Sequence, residues 1–337
     1  MDKIIFIFIL LTFAVGAAVY FYHPNIVGVI SSSPDTISSI RHSVSCGTMH
    51  FPSEEDPPSA KMRNSENEDK TVSQGGILLI QVENTGNING LRIVSDDSEL
   101  PLFTLSDYPE MKFAILGVDV NEPPGRRKIR LLRGEKELQS ETVEIVRRDF
   151  PVTKLVLSEK QKDKGYSPQK AVEETMKDTG TLREILKEPL PGIYFSDYFS
   201  PPLKELNVVG AFGNIRSAGG SAIRHLGVDL RAERGDEVRA VNRGVVRFAS
   251  YLDSYGNTIV IDHGASIFSL YLHLDKIKVS SVIPGSIRNP IVEKGDVIGT
   301  VGNTGAYSLD PHLHLSIKIG GASVDPLIFL DKLRAGE

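Results

Sequence analysis

His225-Leu-Gly-Val-Asp229, Tyr271-Leu-His273 and His312-Leu-His314 hold four of the eight histidines of this 337-residue chain, together with one carboxylate. The spacings within the first and last stretches are even. On a strand, residues an even number apart point to one face. His225 can therefore align with Asp229, and His312 with His314. On a helix the i, i+4 spacing of the first pair would serve equally, but Gly227 and the alternation in LGVDL favour an extended segment. Same-face neighbours on a strand stand roughly 7 Å apart, given the rise per residue. That spacing suits a division of labour in the last stretch: one ring on a metal, the other about one water molecule away. Two imidazoles and a carboxylate are an ordinary three-ligand set for catalytic zinc, with the fourth position left to water. Either pair alone also fits surface or core histidines. The conjunction of both pairs, with a further histidine between them, carries the metal reading.

The sequence around these stretches is glycine-rich and strand-like, as in VRAVNRGVVRFAS, GNTIVIDHG, SIFSLYLHL and VIGTVGNTG. Upstream, GILLIQVEN, LRIVS, FAILGVDV, KIRLLRG, TVEIVRR and TKLVLS are short β-type runs separated by turn residues. That pattern indicates a β-sandwich or small barrel over 75–158, read as a structural or targeting module. Between the two β-rich regions, Ser167-Pro168 forms an N-cap followed by proline at the first helical position. Val172, Met176, Leu182 and Leu186 then fall on one helical face, and Pro189 and Pro191 close a helical connector over 159–192. The fold class is therefore mainly β. It comprises a β-sandwich-like domain over 75–158 and a C-terminal β-sheet domain over 193–332.

The net charge is −5, so no basic footprint marks a nucleic-acid partner. The single cysteine, Cys46, excludes an intrachain disulfide framework and a Cys-based zinc site. Ile4 to Tyr22 is an apolar run long enough to cross a bilayer as a helix. Lys3 precedes it, no Lys or Arg follows until Arg41, and Tyr20, Phe21 and Tyr22 suit the outer interface. This predicts a single-pass anchor over 1–23 with the rest of the chain outside the cytoplasmic face. The alternative is a signal peptide cut after Val15-Gly16-Ala17, which would release the chain; continuation of the apolar run past that point favours the anchor. Residues 24–74 read as an irregular tether, because 51–74 are polar, proline-bearing and nearly free of large apolar groups.

From Phe199 to Leu330 the sequence resembles the lysostaphin/LytM-type zinc metallopeptidases that cleave peptidoglycan peptides. The resemblance rests on Phe212-Gly213 with Arg216, HLGVDLRA at 225–232, GVV at 244–246 and YGNTIVIDHG at 255–264. YLHL at 271–274, KGDVIG at 294–299, VGNTG at 301–305, PHLHL at 311–315 and VDP at 324–326 follow in the family's order. A β-rich domain like 75–150 often precedes that peptidase domain. The resemblance implies one Zn²⁺ per catalytic domain, with His225, Asp229 and His314 as ligands. It makes His312 the general base, and gives His273 the task of orienting water or, when protonated, steadying the tetrahedral intermediate. Asn214 and Arg216 are candidates for the peptide cleft, with a structural turn as the alternative. The implied function is an extracytoplasmic metalloendopeptidase acting on peptidoglycan stems or cross-links, with the cytoplasmic membrane as a second partner and an unidentified regulatory protein as a third. The alternative is a non-catalytic LytM-type regulator of other wall hydrolases, whose signature would be ligand loss. Three departures from the family pattern stand out: a longer loop over 280–293, expected to border the groove, Asp310 in place of a common glycine, and Ser316 where a glutamate often stands. His263 reads as a turn or structural residue, and His23, His42 and His50 as without a role.

Overall fold

The computed structural model describes residues 49–51, 70–82, 90–154, 162–163, 165, 167–218, 221–280, 282–283, 289–306, 308 and 310–333. The apolar run at 4–22 and most of the 24–74 segment lie outside these residues. Among the described residues no helix is long and apolar enough to cross a membrane. The architecture is mainly β, with two helices described, Pro168–Leu186 and Pro326–Lys332.

The N-terminal domain is a sandwich of two sheets. One runs in the order Met49–Phe51, Ile77–Val82, Tyr108–Gly117, Phe103–Leu105; the other runs Thr71–Ser73, Lys136–Val146, Gly125–Arg133, Leu91–Ser95, Ser98–Leu100. The strands 49–51 and 71–73 therefore belong to the sheets, not to a tether. Both are edge additions, pairing in parallel with 80–82 and 144–146, and Val72 is buried between the sheets. The run Ile77-Leu-Leu-Ile80 lacks a polar face because its sheet is covered on both sides. Leu78 and Ile80, with Ala114 and Leu116, meet Ile93, Ile129 and Leu131 inside the sandwich. Ile77, Phe113 and Ile115 point the other way, into the core of the C-terminal domain. A strand buried on both faces loses its period-2 polar alternation.

The two domains thus share a core. Phe103 meets Phe195 with ring centroids 5.0 Å apart. The Asp325 backbone N–H donates to the Gly75 carbonyl (2.7 Å), the Ser323 N–H to Asp119 Oδ2 (2.7 Å), and Arg148 Nη2 to Asp325 Oδ2 (2.9 Å). Asp325 also caps the helix Pro326–Lys332 by accepting from the Leu327 N–H. The boundary expected at 158 falls instead before Val152–Lys154, because this strand pairs with 215–217 of the C-terminal domain.

The C-terminal domain is built on one large sheet. Its order is Val208–Gly210, Val228–Arg231, His312–Ile319, Ile267–Leu274, Gly256–Gly264, Gly244–Leu252, Ile291–Val292, and Ala322–Val324 also pairs with the 312–319 strand. Every pairing in it is antiparallel. Leu313, Leu315, Ile317 and Ile319 face the shared core. His312, His314, Ser316 and Lys318 therefore occupy the opposite face, and that face is covered by the Pro168–Leu186 helix. Ser167 caps this helix by accepting from the Lys170 N–H, and Pro168 opens it, as the sequence predicts. Leu182, Ile185 and Leu186 bury against Phe268, Leu270 and Leu272 of the sheet. Met176, expected on the buried face, is 52% exposed and borders the cavity between the helix and the sheet. The 280–293 loop meets the sheet through Val282, opposite Ala249, and through 291–292, opposite 244–245. Both attachments lie on the edge remote from the metal-ligand candidates, and none of the described residues of this loop lines the groove.

His263 is fully buried, its Nδ1–H donating to the Arg243 carbonyl (2.9 Å) while Nε2 lies 2.7 Å from the Ser269 hydroxyl. Burial lowers its pKa from 6.5 to about 4. Below pH 6.5 the unfolded chain takes up a proton that the native chain refuses, so stability falls as pH falls toward 4. Between pH 6.5 and 5 this group alone removes about 2 kcal/mol, and urea unfolding at the two pH values checks this against His263→Gln, which should lose that part of the pH slope. Because the domains share a core, Phe103→Ala should cost roughly 3–5 kcal/mol. Urea unfolding of this variant followed by two probes should still show one transition; separate transitions for the two domains would contradict a common core.

Candidate metal centre and active site

The ligand strands are placed by register. Val228–Arg231 and His312–Leu315 pair so that Asp229 faces His314 and Arg231 faces His312. His225 does not share a strand with Asp229, as the even spacing suggested. It follows the end of the Ser221–Arg224 strand, and 225–227 form a break before Val228. Gly227 permits this crossing: a Cβ there would lie 2.3 Å from the Leu315 carbonyl oxygen and 2.5 Å from His314 Nε2. Gly210 is required by the same cluster, since its Cβ would sit 2.2 Å from Asp229 Oδ2.

Three acceptor atoms converge. His225 Nε2 is 2.9 Å from both Asp229 Oδ1 and His314 Nδ1, and His314 Nδ1 is 2.8 Å from Asp229 Oδ1. The far side of each group is committed. His225 Nδ1–H donates to the Ala211 carbonyl (2.8 Å), which leaves a lone pair on Nε2. The Ser316 hydroxyl donates to the Leu226 carbonyl (2.8 Å), so it accepts from His314 Nε2–H (2.9 Å), and the lone pair of His314 lies on Nδ1. Asp229 Oδ2 accepts from Arg216 Nη2 (2.9 Å). All three groups are buried. Two imidazole lone pairs and a carboxylate oxygen in mutual contact repel one another unless a cation lies among them. Zinc bonds of about 2.0–2.1 Å place tetrahedral ligands roughly 3.3 Å apart, so the set fits Zn²⁺ with slight expansion.

Burial lowers His314 to about 4 and keeps it neutral, as a ligand must be.

His312 Nε2 lies 3.8 Å from Asp229 Oδ1, next to the cluster but outside its contacts. Its Nδ1–H donates to the Asp310 carbonyl (2.7 Å), so Nε2 presents a lone pair. His273 reaches the same face by a backbone kink. Tyr271 points into the core and Leu272 toward the helix, so regular alternation would send His273 into the core. A left-handed φ of 63° at His273 reverses the phase, bringing its ring to the cavity and Leu274 into the core. Such a conformation costs a non-glycine residue roughly 1–2 kcal/mol, and it is held by His273 N–H to the Tyr255 carbonyl and by Nδ1–H to the Thr304 carbonyl (both 2.9 Å). Its ring is centred 5.0 Å from that of His312. Burial first, then the positive charge that His312 and His314 can carry, lowers His273 to about 3. The ring is therefore neutral, with a lone pair on Nε2, which opposes the expectation of a protonated His273 as an oxyanion-stabilising cation.

Arg216 lines the cavity and anchors Asp229. Asn214 does not line it: its Oδ1 accepts from the Thr153 hydroxyl (3.0 Å) and its backbone carbonyl accepts from the His225 N–H (2.8 Å). The sequence reading passed over two features. Ser316, noted only as a family departure, sets the His314 tautomer; its place two residues beyond His314 on the same face was the available signal. The connector helix forms a wall of the site, and no local pattern announced that.

Residues 223–326 match the model of peptidase family M23. Over 103 residues the chain is 35% identical to lipoprotein NlpD of Yersinia enterocolitica, covering 30% of this chain and 97% of that protein. The chain belongs to peptidase family M23. It is also 39% identical over 103 residues to the DD-carboxypeptidase/endopeptidase Mpg of Neisseria meningitidis, a span of 31% of this chain and 22% of the relative. With the peptidoglycan DD-endopeptidase ShyC of Vibrio cholerae it shares 33% identity over 144 residues, 43% of this chain and 29% of the relative. The matched region is thus under a third of the length of these two relatives.

Metal analysis of the purified chain should return one zinc. His225→Ala, Asp229→Ala and His314→Ala should lose it, while His312→Ala keeps it. Ser316→Ala should retain the metal with affinity weakened roughly 10–100-fold, as for other partners that orient a ligand histidine. Full zinc in all three ligand variants would contradict the assignment.

Proposed function

We propose that this M23 member is a zinc metalloendopeptidase that hydrolyses peptide bonds in peptidoglycan stems or cross-links on the outer side of the cytoplasmic membrane. The observation that carries this reading is the buried convergence of His225 Nε2, His314 Nδ1 and Asp229 Oδ1, with His312 and His273 presenting lone pairs beside it. A zinc ion held there would supply Lewis acidity toward a scissile carbonyl and lower the pKa of a bound water to roughly 7. His312 Nε2 takes the proton from the attacking water, and the Asp310 carbonyl holds the ring in the tautomer that allows this. His273 Nε2 accepts a hydrogen bond from the same water and fixes its direction, its ring held by the Thr304 carbonyl. Arg216 keeps Asp229 turned toward the two ligand histidines.

Peptidoglycan as substrate is supported by the activity named for the Vibrio cholerae relative. The apolar run at 4–22, with Lys3 before it, supports membrane attachment, and the sandwich domain fused to the peptidase core would orient the groove toward the wall. The second reading is a non-catalytic regulator of other wall hydrolases. Such a protein would have no need of a lone pair on His312 aimed at an intact ligand set.

Incubation of the zinc-loaded chain with sacculi, followed by mass spectrometry of the released muropeptides, tests the choice. Cleaved stem or bridge peptides are expected, and His312→Ala should slow the release by about 10²–10⁴-fold while the chain still sediments with sacculi. Sacculi left intact across a range of pH with zinc present would leave the regulator reading.

A further inference from the structure

The cavity holding the metal-ligand candidates has a volume of about 220 Å³, and its second wall is the helix Pro168–Leu186, through Val172, Thr175, Met176, Thr179 and Arg183. This wall is fixed. Leu182, Ile185 and Leu186 seal Phe268, Leu270 and Leu272 of the sheet. Asp178 Oδ2 accepts from the Ser254 N–H (2.6 Å), and the Thr179 hydroxyl bonds Tyr255 (2.8 Å). Lifting the helix would expose that whole apolar face to water, so substrate must enter beside it.

The lining is strongly basic. Among the described residues, Arg183, Arg216, Arg224 and Lys318 border the cavity, against the one carboxylate of Asp229. Three of these cations are engaged. Arg216 holds Asp229, Arg224 donates to the Gly213 carbonyl and stacks on Phe150, and Lys318 donates to the Ser323 hydroxyl. Arg183 differs: it lines the cavity while only half-buried, and its Nε has no acceptor among the described residues. A donor without an acceptor is costly, and a half-exposed guanidinium at the cavity wall is suited to a carboxylate brought by a ligand.

We propose that Arg183 is a substrate-binding residue that takes a free carboxylate of the peptide in the groove, so that a helix outside the matched segment 223–326 sets a preference for anionic over amidated stem peptides. The proposal rests on the peptidase reading for the identity of the peptide but not for the binding step. Arg183 also stands in the last turn of its helix, where a cation is favoured by the backbone carbonyls. That structural role would be indifferent to the charge of a ligand.

Titration calorimetry on the zinc-loaded full chain separates these roles. The probes are an uncross-linked stem peptide with all carboxylates free and the same peptide with all carboxylates amidated. The wild-type chain should bind the free form about tenfold more tightly or better, as expected for a charge-assisted bidentate contact. Arg183→Gln should abolish the preference without changing zinc content or affinity for the amidated probe, and Arg183→Lys should retain part of it. Equal or absent binding of both probes by the wild type, or an undiminished preference in Arg183→Gln, would overturn the proposal. A carboxylate preference in a chain that leaves sacculi uncut would remove the peptidase reading and keep the role of Arg183; cutting without a preference would do the reverse.

Discussion

His225 Nε2, His314 Nδ1 and Asp229 Oδ1 face one another within 2.9 Å in a buried setting, and every hydrogen that could relieve their repulsion is bonded elsewhere. Arg216 reaches only the far oxygen of Asp229. The arrangement therefore suits a bound cation, and much of the surrounding chain holds its shape. Gly227 and Gly210 make room for it, the antiparallel register sets Asp229 against His314, and Ser316 and the Ala211 carbonyl fix the two tautomers. The strained backbone at His273 belongs to the same design, since it turns a ring out of the core to meet the ligand face.

The rest of the architecture makes that face rigid. The 312–319 strand carries His312 and His314 on one side and buries Leu313, Leu315 and Ile317 on the other, so the ligands cannot shift without disturbing the core. That core extends into the N-terminal sandwich through Ile77, Phe103 and Phe113, and Asp325 ties the helix at 326–332 to Gly75 and Arg148. The sandwich is thus a buttress for the peptidase sheet rather than a loosely linked module. The Pro168–Leu186 helix completes the frame from the opposite side and narrows the approach to the metal-ligand candidates.

Local chemistry was legible in the sequence. Ser167-Pro168 announced a helix start, the β-type runs announced strands, and the His/Asp stretches announced residues that the fold brings together. Non-local consequences were not legible. The run at 77–80 shows that a strand is buried on both faces but does not say that a second domain supplies one cover. Even spacing from 225 to 229 was compatible with one strand, yet close packing against His314 forces a break at Gly227. Thr71–Ser73 looked like tether because an edge strand needs only one buried side chain, Val72. Asn214 and Arg216 were alike as cleft candidates; only the three-dimensional path shows that one side chain turns to Thr153 and the other to Asp229.

X-ray absorption spectroscopy of the zinc-loaded chain examines the converging donors most directly. A four-coordinate spectrum with two imidazole nitrogens and two oxygens, one of them exchangeable, is expected, and His312→Ala, which keeps the metal, should leave both imidazole contributions in place. A metal environment with more than two imidazoles, with sulfur, or short of one imidazole in His312→Ala would contradict the proposed centre.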